Sequence, residues 1–352
     1  MDALNVLWPV RQELDRLELK PKNITHIAGS KGKGSTAHLL ALLLERRGLK
    51  VGLFTSPFFE NPREMVQVNH KLVSAEDFDR AMDKVDKNLS EFERWTLAAL
   101  LIFQNQSCDH VILECGWGGA RDATNVVEKK RLTILTHVEL EHLGILGHNL
   151  EEIAQEKLGI CRAGVPLITL ANQAPEVFQA MESKKISPIL APDLVLGWHH
   201  PDNTGLALAA FENFGFAMRP EDAAALANFQ IPGRFEIQKI GIHTLILDGA
   251  HTYDSLHFTQ EQALRYALKE NLEEPYYAVH ILSDKPRDLL NLFPENRRIW
   301  IELQEPRASQ KPEKWAEESA EDFLQNIGKI TVPTLFVATG SFRLVNAFHR
   351  LV

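Results

Sequence analysis

The run Ile24-Thr25-His26-Ile27-Ala28, followed at once by Gly29-Ser30-Lys31-Gly32-Lys33-Gly34-Ser35-Thr36, decides the fold. The first five residues read as a buried strand. The apolar-periodic segment over 35–47 reads as an amphipathic helix, with Gly48 placed to close it. A Gly-rich turn between a strand and a helix is where a phosphate cradle belongs. Glycines let backbone N–H groups face an anion, and the helix N-terminus adds positive potential. In such a loop Lys33 would reach the terminal phosphates and Ser35 would ligate Mg²⁺. The spacing is two residues shorter than the common G-x-x-x-x-G-K-[ST] form, and it lacks the G-x-G-x-x-G order of a dinucleotide fold.

Outward from this loop, strand and helix patterns alternate. Strands are expected over 51–54, 110–114, 132–137 and 165–168, and helices over 74–89, 96–103 and 150–160, with 57–69 as a surface stretch. Ser74, with Asp77 three residues on, fits a capped helix start. Such alternation implies a parallel sheet covered by helices, with ligands beyond the carboxyl ends of its strands. Helices over 203–214 and 220–228 lead to Ile231-Pro232-Gly233, the expected boundary. Beyond it come strands over 244–247, 277–282, 298–302 and 334–338, and helices over 253–269, 313–327 and 341–351. The expected fold is α/β: a large P-loop-type domain over 1–230 with a parallel sheet flanked by helices, and a smaller Rossmann-like α/β domain over 231–352.

Composition narrows the function. The 352 residues are 45% hydrophobic and 24% charged, with a formal net charge of −9. That acidic balance argues against sequence-independent nucleic-acid binding. No apolar run reaches membrane-spanning length, and the N-terminus lacks a signal-peptide order. Three cysteines, Cys108, Cys115 and Cys161, form neither a metal set nor a disulfide framework, so a cytoplasmic setting is expected.

The stretch from His26 to Thr36 resembles the H-V-A-G-T-N-G-K-G-S-T loop of the folylpolyglutamate synthase/dihydrofolate synthase family, within the Mur-type ATP-dependent ligases. The resemblance continues in order. Thr55-Ser56-Pro57 is similar to T-S-P-H, Leu113-Glu114-Cys115-Gly116-Trp117-Gly118-Gly119 to L-E-V-G-L-G-G, and Asp122-Ala123-Thr124-Asn125 to D-A-T-N. Leu140-Glu141-His142 stands where L-D-H is usual, and Glu156-Lys157-Leu158-Gly159-Ile160 resembles E-K-A-G-I. Further on, Pro232-Gly233-Arg234-Phe235-Glu236, Asp248-Gly249-Ala250-His251 and Thr339-Gly340-Ser341 resemble P-G-R-x-E, D-G-A-H and T-G-S.

The resemblance implies a ligase that phosphorylates a carboxylate with ATP and lets the amino group of glutamate attack the acyl phosphate. The carboxylate would be dihydropteroate or a folate. The same chemistry on another carboxylate, and a degenerate nucleotide-binding member, are the alternatives. It implies that Gly29, Ser30, Lys31, Gly32, Lys33, Gly34, Ser35, Thr36, Arg234, Asp248 and His251 bind ATP. Ser35, Ser56, Glu114 and His142 would hold Mg²⁺, and Lys33, Lys157 and His142 would serve catalysis. The lysine matching Lys157 carries a carbamate in many members; the plain alternative is a helix-surface lysine paired with Glu152, Glu156 or another neighbour. The smaller domain is expected to close over the nucleotide, in a monomer whose partners are small molecules. Departures include Phe58 for His, Glu141 for Asp, and Ala120-Arg121 in the G-G-R-L-D-A-T-N segment, where the arginine is displaced by one position. They gather where the acceptor should lie, and the stretches before the loop and over 166–197 are shorter than usual.

Overall fold

A computed structural model describes residues 7–352; the first six, part of the expected N-terminal domain, lie outside the described residues. The chain forms two compact units, one ending at Asn228 and the other beginning at Phe229.

The first unit is built on an eight-stranded sheet: β1 (Ile24–Ala28), β2 (Val51–Phe54), β3 (Val66–Val68), β4 (Lys71–Leu72), β5 (His110–Glu114), β6 (Lys130–Leu135), β7 (Leu167–Leu170) and β8 (Ile189–Ala191), in the order β4-β3-β2-β5-β1-β6-β7-β8. From β2 to β8 neighbouring strands are parallel, while β3 and β4 add an antiparallel edge. All residues of β1 are buried, as a strand covered on both faces requires. Because β1 lies between β5 and β6, with Ile27 opposite both Glu114 and Ile134, three loops leave the sheet side by side.

The helix after β1 runs Lys33–Glu45, and it is not the amphipathic helix its sequence suggests. Ala37, Leu39, Leu40, Ala41, Leu43 and Leu44 are all fully buried, covering nearly every face. Each buried leucine stabilises by roughly 1.5–3 kcal/mol, so the helix is a rigid base for the loop before it. Its far end is pinned by Arg46 and Arg47 on the buried Asp222, at 2.8 and 2.5 Å. Those hydrogen bonds, Arg47's foremost, hold the Asp222 carboxyl well below the ordinary range.

Three expectations need correction. The supposed surface stretch over 57–69 contains the 3₁₀ turn Pro62–Met65 and β3. Glu64 accepts backbone N–H bonds from Phe59, Glu60 and Asn61, which folds the turn and sends buried Met65, Val66 and Val68 along β2. The helix begun by Ser74, whose hydroxyl accepts from Asp77 N–H, ends at Lys84, short of 89. In the second unit the helix expected over 313–327 is only Ala320–Ile327, because Ser319 caps it there.

The second unit carries β9 (Glu236–Ile240), β10 (His243–Asp248), β11 (Tyr276–Val279), β12 (Arg298–Ile301), β13 (Glu317–Glu318) and β14 (Leu335–Thr339), ordered β13-β12-β11-β14-β10-β9. All pair in parallel except β9. Among the described residues no helix is long and apolar enough to cross a membrane.

Candidate active site

The glycine loop is shaped by what presses on it. Gly29 has φ +146°, and a Cβ there would sit 1.9 Å from Thr136 Oγ1. Gly32 has φ +83°, and its Cβ would meet Asn203 Oδ1 at 2.0 Å. Only glycine meets both the dihedral and the space requirement. Ser30 and Lys31 N–H both donate to the His137 carbonyl, at 2.7 and 3.2 Å, tying the loop to the segment after β6. Those two donors are therefore spent. An anion is left the first-turn N–H groups of the Lys33–Glu45 helix, which lack intrahelical partners. No side chain caps that helix at Gly32, so its N-terminus is open to a phosphate. Lys33 Nζ lies over the loop, donating to the Gly29 carbonyl at 3.0 Å, and Lys31 pairs with Glu139 at 3.2 Å. Ser35 and Thr36 are buried in the first turn.

Glu114 ends β5 beside this loop and is only 3% exposed. Its Oε2 accepts from Ser56 N–H at 2.9 Å. A Cβ at Gly34 would come within 3.2 Å of the same oxygen, so glycine leaves the carboxylate room against the phosphate loop. Ser56, Glu114 and the loop carrying Ser35 are thus gathered together. His142 is different: it is exposed, has φ +47°, and lies edge-on to Trp117 at 6.3 Å. Among the described residues no three His, Cys, Asp or Glu side chains converge on one point. Hydroxyl and carboxylate oxygens fit a hard cation such as Mg²⁺ better than a zinc-type cage.

Lys157 is no surface lysine. It is 1% exposed, and its Nζ donates to Gly29 O at 3.0 Å and to Glu141 Oε1 at 2.5 Å, not to Glu152 or Glu156. Burial lowers the pKa of its ammonium, Glu141 opposes the shift, and Lys33 adds to it. Burial pushes the Glu141 carboxyl up, but Lys157 and then Lys33 pull it below the ordinary range. A carbamate nitrogen keeps one hydrogen, so a carbamylated Lys157 would give up one of these two bonds.

The segment over 117–125 folds on its own polar groups. Asp122 accepts from Trp117 N–H at 2.8 Å and Thr124 N–H at 3.0 Å. Asn125 donates to Ala120 O and Gly159 O, and accepts from buried Lys130 Nζ at 2.6 Å. Beside this segment lies a cavity of about 420 Å³, its wall including Ser56, Phe58, Phe92, Trp95, Trp117 and Arg121. Phe58 and Arg121, two of the departures that the resemblance sets near the acceptor, both lie on this wall. A further local sign is the aromatic pair in Glu91-Phe92-Glu93-Arg94-Trp95, which helical spacing equally assigns to a core.

In the second unit, Arg234, Asp248, His251 and the 339–341 turn converge at the ends of β10 and β14. Asp248 accepts from Phe235 and Ala250 N–H, at 2.7 and 2.8 Å, and burial raises its pKa. Gly249 N–H donates to Gly233 O, and Gly340 N–H to Ala250 O. Arg234 stacks on Phe342 at 3.9 Å, and His251 Nδ1 lies 2.9 Å from Gly249 O. His199 is buried, with Nε2 3.0 Å from Leu226 O.

Comparison with known proteins gives consistent likenesses. Residues 27–190 match the Mur ligase middle domain. A probable folylpolyglutamate synthase of Schizosaccharomyces pombe is 32% identical over 323 residues, covering 78% of this chain and 63% of that protein. A dihydrofolate synthase/folylpolyglutamate synthase of Bacillus subtilis is 37% identical over 189 residues, 50% of this chain and 44% of its own. The chain thus spans less than two thirds of the length of these curated relatives. The crystal structure of a bifunctional folylpolyglutamate synthase/dihydrofolate synthase from Yersinia pestis, complexed with AMPPNP and Mn ion, superposes with a TM-score of 0.85 at 25% identity. That match covers 98% of this chain and 93% of the other.

Proposed function

The chain belongs to the folylpolyglutamate synthase/dihydrofolate synthase family of Mur-type ligases, and from that premise we propose that it joins glutamate to a folate-type carboxylate at the expense of ATP. The observation that carries this reading is the helix N-terminus at Gly32, which no side chain caps, with Lys33 over the loop and the buried Glu114, bonded to Ser56 N–H, beside Gly34. A triphosphate supplies the charge that this terminus lacks.

In this proposal the first-turn N–H groups and Lys33 hold the β- and γ-phosphates, with Ser30, Lys31 and Thr36 shaping the loop around them. Ser35, Ser56, Glu114 and His142 are the residues that would hold Mg²⁺. Bound there, the cation supplies charge neutralisation for the transferring phosphoryl group. The acceptor carboxylate attacks the γ-phosphorus, the bond to the β-phosphate oxygen breaks, and ADP leaves. Glutamate's amino group then attacks the acyl phosphate, loses a proton and releases phosphate. Arg234, Asp248 and His251 are the nucleotide-binding candidates of the second unit. The cavity lined by Phe58, Phe92, Trp95 and Trp117 takes the acceptor's flat ring system; its volume lies in the range of small-molecule sites. The three cysteines form no disulfide among the described residues, which supports a cytoplasmic setting.

Phosphate release is followed with ATP, Mg²⁺, glutamate and either dihydropteroate or tetrahydrofolate. Release that requires the pterin compound supports the reading. Release only with other carboxylic acids moves the acceptor, and none with a broad panel leaves a binding protein. Lys33→Ala removes phosphate positioning and is expected to abolish turnover while the chain stays folded; unchanged activity would falsify the site.

A further inference from the structure

Resting on the acceptor reading of the aromatic cavity, we infer that Arg121 is the specificity residue that reads the acceptor's carboxylate. Among the described residues it is the one cation on the cavity wall. The wall's two acids are already engaged. Asp122 is taken up by Trp117 and Thr124 N–H, and Glu93 Oε2 by Ser90 N–H and Oγ at 2.8 and 2.7 Å.

Arg121 itself is held but not used up. Nε lies 3.3 Å from Glu156 Oε2, Nη2 donates to Ile145 O at 3.0 Å, and the guanidinium carbon stands 5.6 Å from the Trp117 ring centre. A guanidinium offers five N–H donors. Two are engaged here, so three remain without a protein partner among the described residues. Its side chain is 32% exposed, so those donors are open to a ligand. A planar fork anchored at one edge and free at the other suits a carboxylate, and the anchoring limits the entropy lost on binding.

The rest of the wall fits such a ligand. Phe58 and Trp95 meet edge-to-face at 5.5 Å and, with Phe92, offer an apolar surface for a flat ring. Ser56 belongs both to this wall and to the Glu114 pair, so the cavity adjoins the carboxylate that faces the phosphate loop. The site therefore selects a molecule with an aromatic head and an anionic end.

The test is calorimetric titration of the full chain with dihydropteroate and with its neutral carboxamide. Charge-assisted hydrogen bonds of this kind correspond to an affinity gain of about tenfold to a hundredfold. Wild type is expected to prefer the acid by that factor. Arg121→Leu is expected to lose the preference and keep its affinity for the carboxamide, and Arg121→Lys, which keeps the charge without the fork, to fall between. Should Arg121→Leu fail to fold, Arg121→Gln keeps a donor for Ile145 O and makes the same measurement. An acid-to-amide ratio unchanged in the neutral variant, with only a lower melting temperature, overturns the proposal and leaves Arg121 a clamp on Glu156. Binding of neither compound by wild type overturns the acceptor reading itself, and this proposal with it.

Discussion

Replacing Lys157 by methionine keeps a long, flexible side chain in the buried slot while deleting its charge and donors. Gly29 O and Glu141 Oε1 each lose a partner at once. Breaking a buried ion pair from one side costs about 3–5 kcal/mol, because the remaining charge stays desolvated. Here the Glu141 side chain is 23% exposed and Lys33 still attracts its carboxylate, so about 2–3 kcal/mol is the better figure. Glu141→Gln removes the other charge, and the double variant leaves no charge behind. The double variant should therefore cost less than the sum of the two, by a coupling of about 1–3 kcal/mol. For a unit of this size each kcal/mol moves the melting temperature by about 2–4 °C, so Lys157→Met should melt about 5–10 °C lower. Urea denaturation of the four proteins, followed by circular dichroism, gives the cycle. A coupling below about 0.5 kcal/mol refutes the pairing. A carbamylated Lys157 would present an anion to Glu141 and reverse the sign of the coupling, and intact mass with and without bicarbonate checks that directly.

Three further outcomes follow from single sites. Gly32→Ala must hold φ +83° and place a Cβ against Asn203 Oδ1. It should lose about 1–2 kcal/mol of stability and most nucleotide affinity, with Asn203→Ala relieving the contact but not the dihedral. Full affinity in Gly32→Ala would show that the loop does not cradle the phosphates. Lys130 is buried, donating to Asn125 Oδ1 and Ile160 O, and burial lowers its pKa from 10.5 to about 7. Between those values the unfolded chain binds more protons than the folded one, so stability should rise with pH across that window and be flat below it. Lys130→Met should remove that slope in denaturation curves at about pH 7 and pH 10, and an identical slope in the variant would sink the assignment. Gly34→Ala should gain up to about 1 kcal/mol of helix stability while crowding Glu114 Oε2, so melting temperature rises as turnover falls about tenfold. A rise in both would separate Glu114 from the chemistry.

What could be read from the amino-acid sequence was whatever local spacing encodes. The glycine loop between a strand and a helix, the Ser74 cap and the run of parallel strands depend on residues within a few positions of one another. Backbone dihedrals and apolar periodicity are set at that range. The helix expected over 253–269 and that over 220–228 coincide with the folded elements Tyr253–Lys269 and Pro220–Asn228 for the same reason. Short strands such as β3 and β13 escaped because they are two or three residues long, and pairing with a distant neighbour, not their own composition, makes them strands.

The site shows the same division. Gly29, Gly32, Lys33 and Ser35 declare themselves in one contiguous stretch. Only the folded chain shows that Thr136 and Asn203 force glycine at two of those positions, and that the His137 carbonyl takes two loop donors. It also decides that Lys157 is interior and faces Glu141 across sixteen positions of sequence. The aromatic cavity is the extreme case, assembled from segments near 56–65, 90–95 and 116–123 that share no local pattern. Sequence alone determines where the backbone can turn and which charges are available; burial and long-range contact decide which of those charges meet, because desolvation depends on neighbours that only folding brings together.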